Sequence, residues 1–300
     1  MSRRTPPSAS PAFPWTGALL VVFSAAGFGT LAIFGRFAYA AGMDAPTILF
    51  LRFSLAALVM LVWLRLRGEA LPGRPALFWL LGMGALGYVG QSMAYLTALQ
   101  YASAGLVALL LSLYPAIVAL LAALFLREPI SRRKGLALLL ALLGTALTVG
   151  PATGEWRGAL LAVSGAVIYS IYILVGAHVV KQVSAVQSSA VIFAAAGLAA
   201  GGLMLINGPH LPLTGAGWGA VAGLVLLATV LPVTAFLAGI GRIGPTNASM
   251  LSTVEPVVTL LLAQFLLGET ISAVTWVGGG LILVAVLLLT RGALRPVGES

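Results

Sequence analysis

The chain has 300 residues, of which 60% are hydrophobic and 8% are charged, and its mean hydropathy is +1.09. Soluble domains carry roughly 25% charged residues, so a soluble fold is excluded and a membrane protein is expected. The formal net charge of +9 indicates basic loops beside membrane spans, not a nucleic-acid partner. The chain has no cysteine and two histidines, which is a poor inventory for a metal site or a nucleophilic triad, and we expect no metal and no cofactor.

The first residues precede the apolar part of the chain. Residues 1–13 are polar and rich in proline and serine, which predicts a disordered cytoplasmic tail. Arg3 and Arg4 before an apolar run are also compatible with a cleaved signal peptide. The many apolar runs that follow favour an uncleaved first membrane helix.

Ten apolar runs follow along the chain, separated by breaks rich in glycine, proline and charge, such as Gly244-Pro245. A helix needs about 20 apolar residues to cross the hydrocarbon core, so each run predicts one span. The predicted spans are 15–38, 46–65, 75–99, 103–126, 132–150, 156–179, 186–206, 215–240, 246–267 and 273–291.

The second half of the chain copies the first. The motif Trp-x-Gly-Ala-Leu-Leu at 15–20 returns at 156–161, and Leu-x-Glu-x-Ile at 126–130 returns at 267–271. Both copies are offset by 141 residues, which indicates an internal duplication. We therefore predict two repeats of five helices, at 14–150 and 151–291, followed by a cytoplasmic tail at 292–300.

Basic residues fix the predicted orientation. If the N-terminus is cytoplasmic, the inside loops hold nearly all arginines and lysines, and only Arg157 and Arg36 lie outside. The positive-inside rule then places both termini in the cytoplasm. Because each repeat has an odd number of spans, the second copy enters from the opposite side. The predicted fold is an all-α membrane protein with ten transmembrane helices, arranged as two inverted five-helix repeats.

Polar and aromatic side chains within the spans are the candidates for a substrate cavity. Tyr88, Gln91 and Tyr95 are spaced by three and four residues and share one helix face, as do Tyr169 and Tyr172. The alternative is that such side chains only bond neighbouring helices. The predicted cavity is aromatic and mostly uncharged, and its candidate residues are Phe28, Tyr88, Gln91, Tyr95, Ser112, Tyr169, Tyr172, Thr229, Phe236 and Ser252.

Two charged residues and two prolines within the spans have further candidate roles. Glu255 is the one acidic residue well inside a predicted span and is a candidate for carrying a coupling proton, although a neutral, hydrogen-bonded carboxyl is the alternative. Arg52 is expected to extend outward toward Asp44, with a substrate carboxylate as the alternative partner. Pro115 and Pro256 are equivalent in the two repeats and predict mid-span kinks, which serve either as hinges or as static packing features.

The repeated motifs resemble the drug/metabolite transporter superfamily of EamA type. Leu113-Tyr-Pro115 precedes Phe125-Leu-Arg-Glu128-Pro-Ile130, and Val254-Glu-Pro256 precedes Phe265-Leu-Leu-Gly-Glu269-Thr-Ile271. In that family each half has a proline in its fourth helix and Leu-Gly-Glu before its fifth. Tyr114 and Arg127 depart from the pattern, which argues against a role that needs two symmetric carboxylates.

The resemblance implies a central cavity formed by helices one, three, four, six, eight and nine, and export of amino acids or related metabolites. The aromatic residues are similar to those of the YddG-like aromatic amino-acid exporter branch. We thus expect a secondary transporter that exports aromatic and other neutral amino acids across the bacterial inner membrane by alternating access, as a monomer in the lipid bilayer. The alternatives are export of other metabolites or drugs, and a passive facilitator or flippase. An enzyme is not expected, because no His/Asp/Ser constellation is present.

Overall fold

The computed structural model describes residues 15–125, 132–149, 155–179, 183–252 and 254–293, and every regular element in these ranges is helical. The first half contains α1 (Trp15–Phe28), α2 (Leu31–Ala40), α3 (Ala45–Leu66), α4 (Arg74–Gly82), the π-helical segment π1 (Met83–Tyr88), α5 (Val89–Tyr101), α6 (Ala104–Leu111), α7 (Tyr114–Phe125) and α8 (Arg132–Val149). The second half contains α9 (Trp156–Val179), α10 (Ala185–Asn207), α11 (Gly215–Val225), the π-helical segment π2 (Leu226–Val230), α12 (Leu231–Leu251), α13 (Val254–Leu266) and α14 (Ala273–Ala293). The all-helical prediction is confirmed for the described residues.

Five helical segments are long and apolar enough to cross a membrane, and they are Trp15–Ala40, Ala45–Leu66, Trp156–Gly176, Ala185–Asn207 and Gly215–Ile243. Shorter apolar helices accompany them at Ala104–Val118, Val254–Leu266 and Ala273–Ala285. The chain is therefore a multi-pass membrane protein, while the count of ten spans stays a prediction. The predicted tail at 1–13 and the loop that holds Glu128 lie outside the described residues, as does the predicted C-terminal tail after Ala293.

The predicted spans are less regular than expected. The first span is interrupted at Gly29–Thr30, where the Thr30 hydroxyl donates to the Gly27 carbonyl over 2.7 Å. Conversely, the predicted break at Gly244-Pro245 lies inside α12. The equivalent position in the first half is Ser103, whose hydroxyl caps α6 by accepting from the Leu106 N–H at 3.3 Å. Glycine has no side chain with which to make that cap, so the helix is not terminated there in the same way.

The two prolines that are equivalent in the repeats, Pro115 and Pro256, each lie in the first turn of a helix. Helix α7 begins at Tyr114 after a turn at Ser112–Leu113, and α13 begins at Val254. Proline is tolerated there because a first-turn N–H has no partner within the helix. The predicted mid-span kink is thus an interruption of the helix directly before each proline, and the hinge role of both prolines stays a prediction.

Helix packing follows the duplication. Helix α1 packs on α12 and α9 packs on α5, while α3 packs on α10 and α8 on α14. A Cβ at Gly17 would lie 2.8 Å from Cγ2 of Ile243, and a Cβ at Gly158 would lie 2.5 Å from Cβ of Ala102. The 141-residue offset turns Gly17 into Gly158 and Ala102 into Ile243, so the two close contacts are equivalent. Small residues at these crossings let the helix backbones approach closely.

The six tryptophans lie near helix ends and face outward. Each has between 46% and 70% of its surface exposed, and the six are Trp15, Trp63, Trp79, Trp156, Trp218 and Trp276. Indole rings are enriched at the boundary between hydrocarbon and headgroups, because they have an apolar body and one polar N–H. This distribution supports the membrane placement of the bundle and leaves the interior to phenylalanine and tyrosine.

Candidate substrate cavity between the two halves

Two π-helical segments, π1 and π2, occur at nearly equivalent positions of the duplication, and Arg52 contacts both of them inside the bundle. Tyr88 ends π1, and the 141-residue offset maps it onto Thr229 in π2. Such segments are rare and are often found at functional sites, because they redirect side chains and backbone carbonyls. The hydroxyl of Thr229 donates to the carbonyl of Leu224, five residues earlier, over 2.6 Å.

Arg52 bridges the two π-helical segments from α3. Its Nε donates to Oγ1 of Thr229 at 2.5 Å, and its Nη2 donates to the hydroxyl of Tyr88 at 3.3 Å and to the carbonyl of Ala228 at 3.4 Å. The last contact has a sequence cause, because Pro232 has no N–H to donate to the carbonyl four residues before it. The guanidinium therefore satisfies a carbonyl that the proline leaves without its helical donor.

The expected outward extension of Arg52 is wrong. Only 1% of its surface is exposed, and its hydrogen bonds lead into the bundle. Asp44 instead caps α3, since its Oδ1 accepts from the N–H of Thr47 at 3.1 Å, and its other oxygen lies 3.6 Å from Nδ1 of His210. Arg52 lies about two helical turns beyond that cap, on the side of α3 that meets π2. Arg52 therefore bonds neutral acceptors inside the bundle instead of the Asp44 carboxylate.

The Arg52 guanidinium is only partly satisfied. Nη1 is buried, and no group among the described residues accepts a hydrogen bond from it. The guanidinium carbon lies 4.9 Å from the ring centroid of Phe53 and 5.6 Å from that of Tyr88. These rings stabilise a cation through their quadrupole. The contacts of Arg52 are with hydroxyls, a carbonyl and aromatic rings, all of which are uncharged.

A small central cavity lies beside this arginine. Its volume is about 20 Å³, and it is lined by Phe28, Leu31, Arg52, Tyr88, Gln91, Leu111, Tyr169 and Glu255. A cavity needs roughly 10–15 Å³ to hold one water molecule, so this space admits a water but not a metabolite. The lining residues come from both halves of the chain, and the structure therefore holds the central space in a closed form.

Aromatic side chains fill the space that the sequence assigned to a cavity. The Tyr169 ring lies 5.8 Å from Tyr172, 6.5 Å from Phe236 and 4.9 Å from Tyr114, measured between centroids. Tyr88 stacks on Tyr172 at 5.6 Å. Offset-stacked and edge-to-face pairs of this kind add to the burial energy of the rings. The central rings thus form one connected aromatic cluster, in which Phe28 contacts Phe236 edge-on at 6.4 Å.

The predicted cavity residues divide into those that line the space and those that lie elsewhere. Tyr95 is buried to 1% exposure, outside the lining of the central cavity. Ser112 and Ser252 donate to carbonyls of their own helices, Leu109 at 2.6 Å and Ala248 at 3.0 Å. The residues of the predicted set that line the cavity are Phe28, Tyr88, Gln91 and Tyr169, together with Glu255.

Glu255 of α13 lines the same cavity as Arg52 of α3. Its N–H donates to the Ser252 carbonyl at 2.9 Å, and its carbonyl accepts from the Thr259 hydroxyl at 3.2 Å. Thr259 also donates to the Gly29 carbonyl at 3.0 Å, at the interruption of the first span. Within the described part of the chain, no hydrogen bond or ion pair is made by the Glu255 carboxylate, which leaves it free to meet a ligand.

A second polar cluster, which we call the Glu269 cap, lies at the N-terminus of α6 and lines a separate pocket of about 550 Å³. The Glu269 carboxylate accepts from the N–H groups of Ala104 and Gly105, at 2.9 and 3.2 Å, and so caps α6. Glu155 accepts from the N–H of Ser103 at 3.0 Å. Arg36 lies 3.9 Å from Glu269. A carboxylate at a helix N-terminus is stabilised by the unpaired N–H groups and the helix dipole, so the cap joins α13 to α6.

The Glu269 cap also explains the Gly-Glu motif of the second half. Gly268 has a φ of +66°, a left-handed conformation that L side chains rarely adopt, and it turns the chain after α13 so that Glu269 faces α6. The first half has Arg127 before Glu128 instead, and both residues lie outside the described ranges.

The duplication, the packing of equivalent helices and the Gly-Glu motif agree with comparisons to known proteins. The model of the EamA-like transporter family matches this sequence twice, over residues 15–150 and 156–291. The chain belongs to the EamA-like transporter family. Two matches within one chain also support the two repeats that the sequence predicted, and we refer to them below as the two EamA repeats.

Relatives of this EamA chain are named as transporters. The inner membrane transporter YedA of Escherichia coli strain K12, itself uncharacterized, is 30% identical over 249 residues, which is 80% of each chain. An uncharacterized transporter of Archaeoglobus fulgidus is 27% identical over 277 residues and covers 92% of this chain and 96% of its own. A crystal structure of another protein has a TM-score of 0.70 at 23% identity, over 93% of this chain and 99% of that one, and shows the same fold.

Proposed function

We propose that this EamA protein is a secondary transporter that exports aromatic and other neutral amino acids across the bacterial inner membrane. The observation that carries the proposal is the closed central cavity, which is lined by Phe28, Arg52 and Tyr88 of the first repeat and by Tyr169 and Glu255 of the second. A buried space that both repeats share is the arrangement expected of a substrate site at a repeat interface.

Alternating access gives the closed cavity its role. In this proposal the Glu269 cap, which joins α13 to α6, holds one end of the bundle closed, and the aromatic cluster fills the central space. The helix interruptions directly before Pro115 and Pro256 give the fourth and ninth predicted spans a place to bend. Bending of these two helices opens the cavity toward one side of the membrane at a time, with the tyrosine rings separating to admit the substrate.

The proposal requires the two repeats to be inverted relative to each other, with both termini in the cytoplasm. Single cysteines are suited to this test, because the chain has none of its own. Cysteines introduced near each terminus of the full chain should react with an impermeant maleimide only after the cell is made permeable. Labelling of the two termini from opposite sides of the membrane would contradict the inverted arrangement.

Transport itself is tested by counterflow in sealed proteoliposomes. Vesicles loaded with unlabelled phenylalanine or threonine should accumulate the labelled amino acid transiently and saturably, because exchange through one alternating site couples the two fluxes. A non-saturating leak would favour a passive facilitator instead, and movement of labelled lipid without amino-acid exchange would favour a flippase. Repeating the experiment after a pH jump, with Glu255→Gln beside the unchanged protein, tests the predicted proton coupling.

A further inference from the structure

We propose that Arg52 and Glu255 form the two poles of a site for a dipolar amino acid, in which Arg52 binds the α-carboxylate and Glu255 binds the α-ammonium group. The inference deepens the proposed function and rests on it, because it names the chemical group that makes a substrate acceptable. The observation behind it is that two buried residues of opposite charge line one cavity without forming a salt bridge.

The first pole is Arg52, a buried cation with no anionic partner among the described residues. The hydrogen-bond partners of Arg52 are Thr229, Tyr88 and the Ala228 carbonyl, and its buried Nη1 has no acceptor among the described residues. An ionisable side chain within a membrane protein is expensive to bury and ordinarily pairs with another charge or with backbone carbonyls, and Nη1 of Arg52 has neither among the described residues. A carboxylate fits the free Nη1, because hydrogen bonds between a guanidinium and a carboxylate are charge-assisted and stronger than those to neutral acceptors.

The second pole is Glu255, an acid that lines the same cavity. Glu255 keeps 9% of its surface exposed, and within the described residues its carboxylate has no cationic partner within 4 Å. Tyr88, whose hydroxyl accepts from Nη2 of Arg52, lines the cavity together with Glu255, so a tyrosine oxygen accompanies the two charged groups. An ammonium group between them would complement both the Glu255 charge and the tyrosine oxygen.

The two poles break the symmetry of the repeats. The 141-residue offset maps Arg52 onto Phe193 and Glu255 onto Tyr114, so each repeat supplies one charge where the other supplies an aromatic ring. A pseudo-symmetric cavity with one positive and one negative end orients a dipolar ligand in a single direction. The adjacent rings of Phe28 and Tyr169 leave an apolar wall for the substrate side chain.

Three ligands with the same phenyl group separate the two poles in a competition experiment. Labelled phenylalanine counterflow is competed with phenylalanine, with phenethylamine, which lacks the carboxylate, and with 3-phenylpropionate, which lacks the ammonium group. In the unchanged protein each analogue should compete at least about tenfold more weakly than phenylalanine, because each leaves one buried charge unpaired. Arg52→Gln should remove the disadvantage of phenethylamine, and Glu255→Gln should remove that of 3-phenylpropionate.

Controls distinguish this selectivity from a general loss of structure. Arg242→Gln removes an exposed arginine that bonds the carbonyl of Ala238 in its own helix, and it should leave the selectivity unchanged. Arg52→Lys keeps the positive charge and should preserve the preference for carboxylates with weaker binding, which allows the test even if Arg52→Gln does not fold. Size-exclusion profiles report whether each variant is intact.

The outcomes separate the inference from the proposed function. Equal weakening of all three ligands in both variants, or equal competition by all three in the unchanged protein, would overturn the dipolar site while leaving amino-acid transport in place. A Glu255→Gln protein that loses its response to a pH gradient but keeps its selectivity would also overturn the site. Intact protein without counterflow of any amino acid would reject the proposed function, and the dipolar site with it.

Discussion

The two EamA repeats share features of their backbone, but they differ in the positions of their buried charged residues. Each repeat has a π-helical segment in its third predicted span and a helix that begins anew directly before a proline. Each repeat also supplies a glycine, Gly17 or Gly158, at the closest helix crossing. The positions of Arg52 and Glu255, in contrast, are occupied by Phe193 and Tyr114 in the opposite repeat.

This difference separates what the duplication must keep from what it can change. Helix crossings and π-helical segments determine how two copies of one bundle fit together, so a change in one copy must be compatible with its equivalent. The side chains around the central cavity face each other across the interface, where unlike residues from the two copies are complementary. An arginine facing its own copy would place two like charges together, which is costly in a membrane interior.

The largest effect that tests the shared framework is expected at Gly158. Its Cβ in Gly158→Ala would lie 2.5 Å from Cβ of Ala102 and 3.0 Å from the Ala102 nitrogen, and a backbone atom cannot move aside as a flexible side chain does. We expect a destabilisation of about 3 kcal/mol, at the upper end of overpacking effects. The measurement is the unfolding midpoint in detergent. Gly202→Ala is the matched control, because nothing lies within 4 Å of its added Cβ, and equal stability of the two variants would contradict the crossing.

An intermediate effect is expected where Arg52 joins the two π-helical segments. Thr229→Val removes the acceptor at 2.5 Å and should destabilise the protein by about 2 kcal/mol, because a hydrogen bond from a charged donor is lost in a buried site. Tyr88→Phe removes the longer contact of 3.3 Å and should have a smaller effect. Thermal unfolding of both variants gives the order. Thr234→Val serves as the control, since its hydroxyl makes only long contacts, and a larger loss for Tyr88→Phe would reverse the assigned roles of π1 and π2.

The smallest effect is expected at the Glu269 cap. Glu269→Gln removes the charge that faces the N-terminus of α6 and should weaken the closed end by about 1 kcal/mol. A cysteine at the buried Leu111, which lines the central cavity, should then be labelled about fivefold faster by a soluble maleimide. Glu155→Gln, which affects a single hydrogen bond to Ser103, should change the rate less. An unchanged labelling rate in Glu269→Gln would show that the cap does not hold this end closed.

The sequence alone predicts the helical class, the duplication and most members of the aromatic cluster, because apolar run length and a constant offset are visible in one dimension. It does not predict π1 and π2, since one extra residue in a turn leaves the hydrophobic pattern nearly unchanged. The burial of Arg52 was also missed, because its best acceptor, Thr229, is 177 residues away along the chain. The 141-residue offset could have indicated this contact, because it pairs Tyr88 with Thr229 and so places polar residues at equivalent positions of the two repeats. The cavity was predicted as open space because sequence reasoning cannot show that the rings of Tyr169 and Phe236 pack on their neighbours.

Because all six tryptophans face outward, indole fluorescence comes from the periphery of the protein and not from its interior. Intrinsic emission therefore reports the lipid boundary, and brominated lipids should quench it without touching the transport pathway. A single tryptophan introduced at Phe236 would emit from a protected environment that those lipids cannot reach. With the six outward tryptophans quenched by the brominated lipids, the remaining emission would come from position 236. A change in that emission would report the opening of the central cavity in a membrane, without any attached dye.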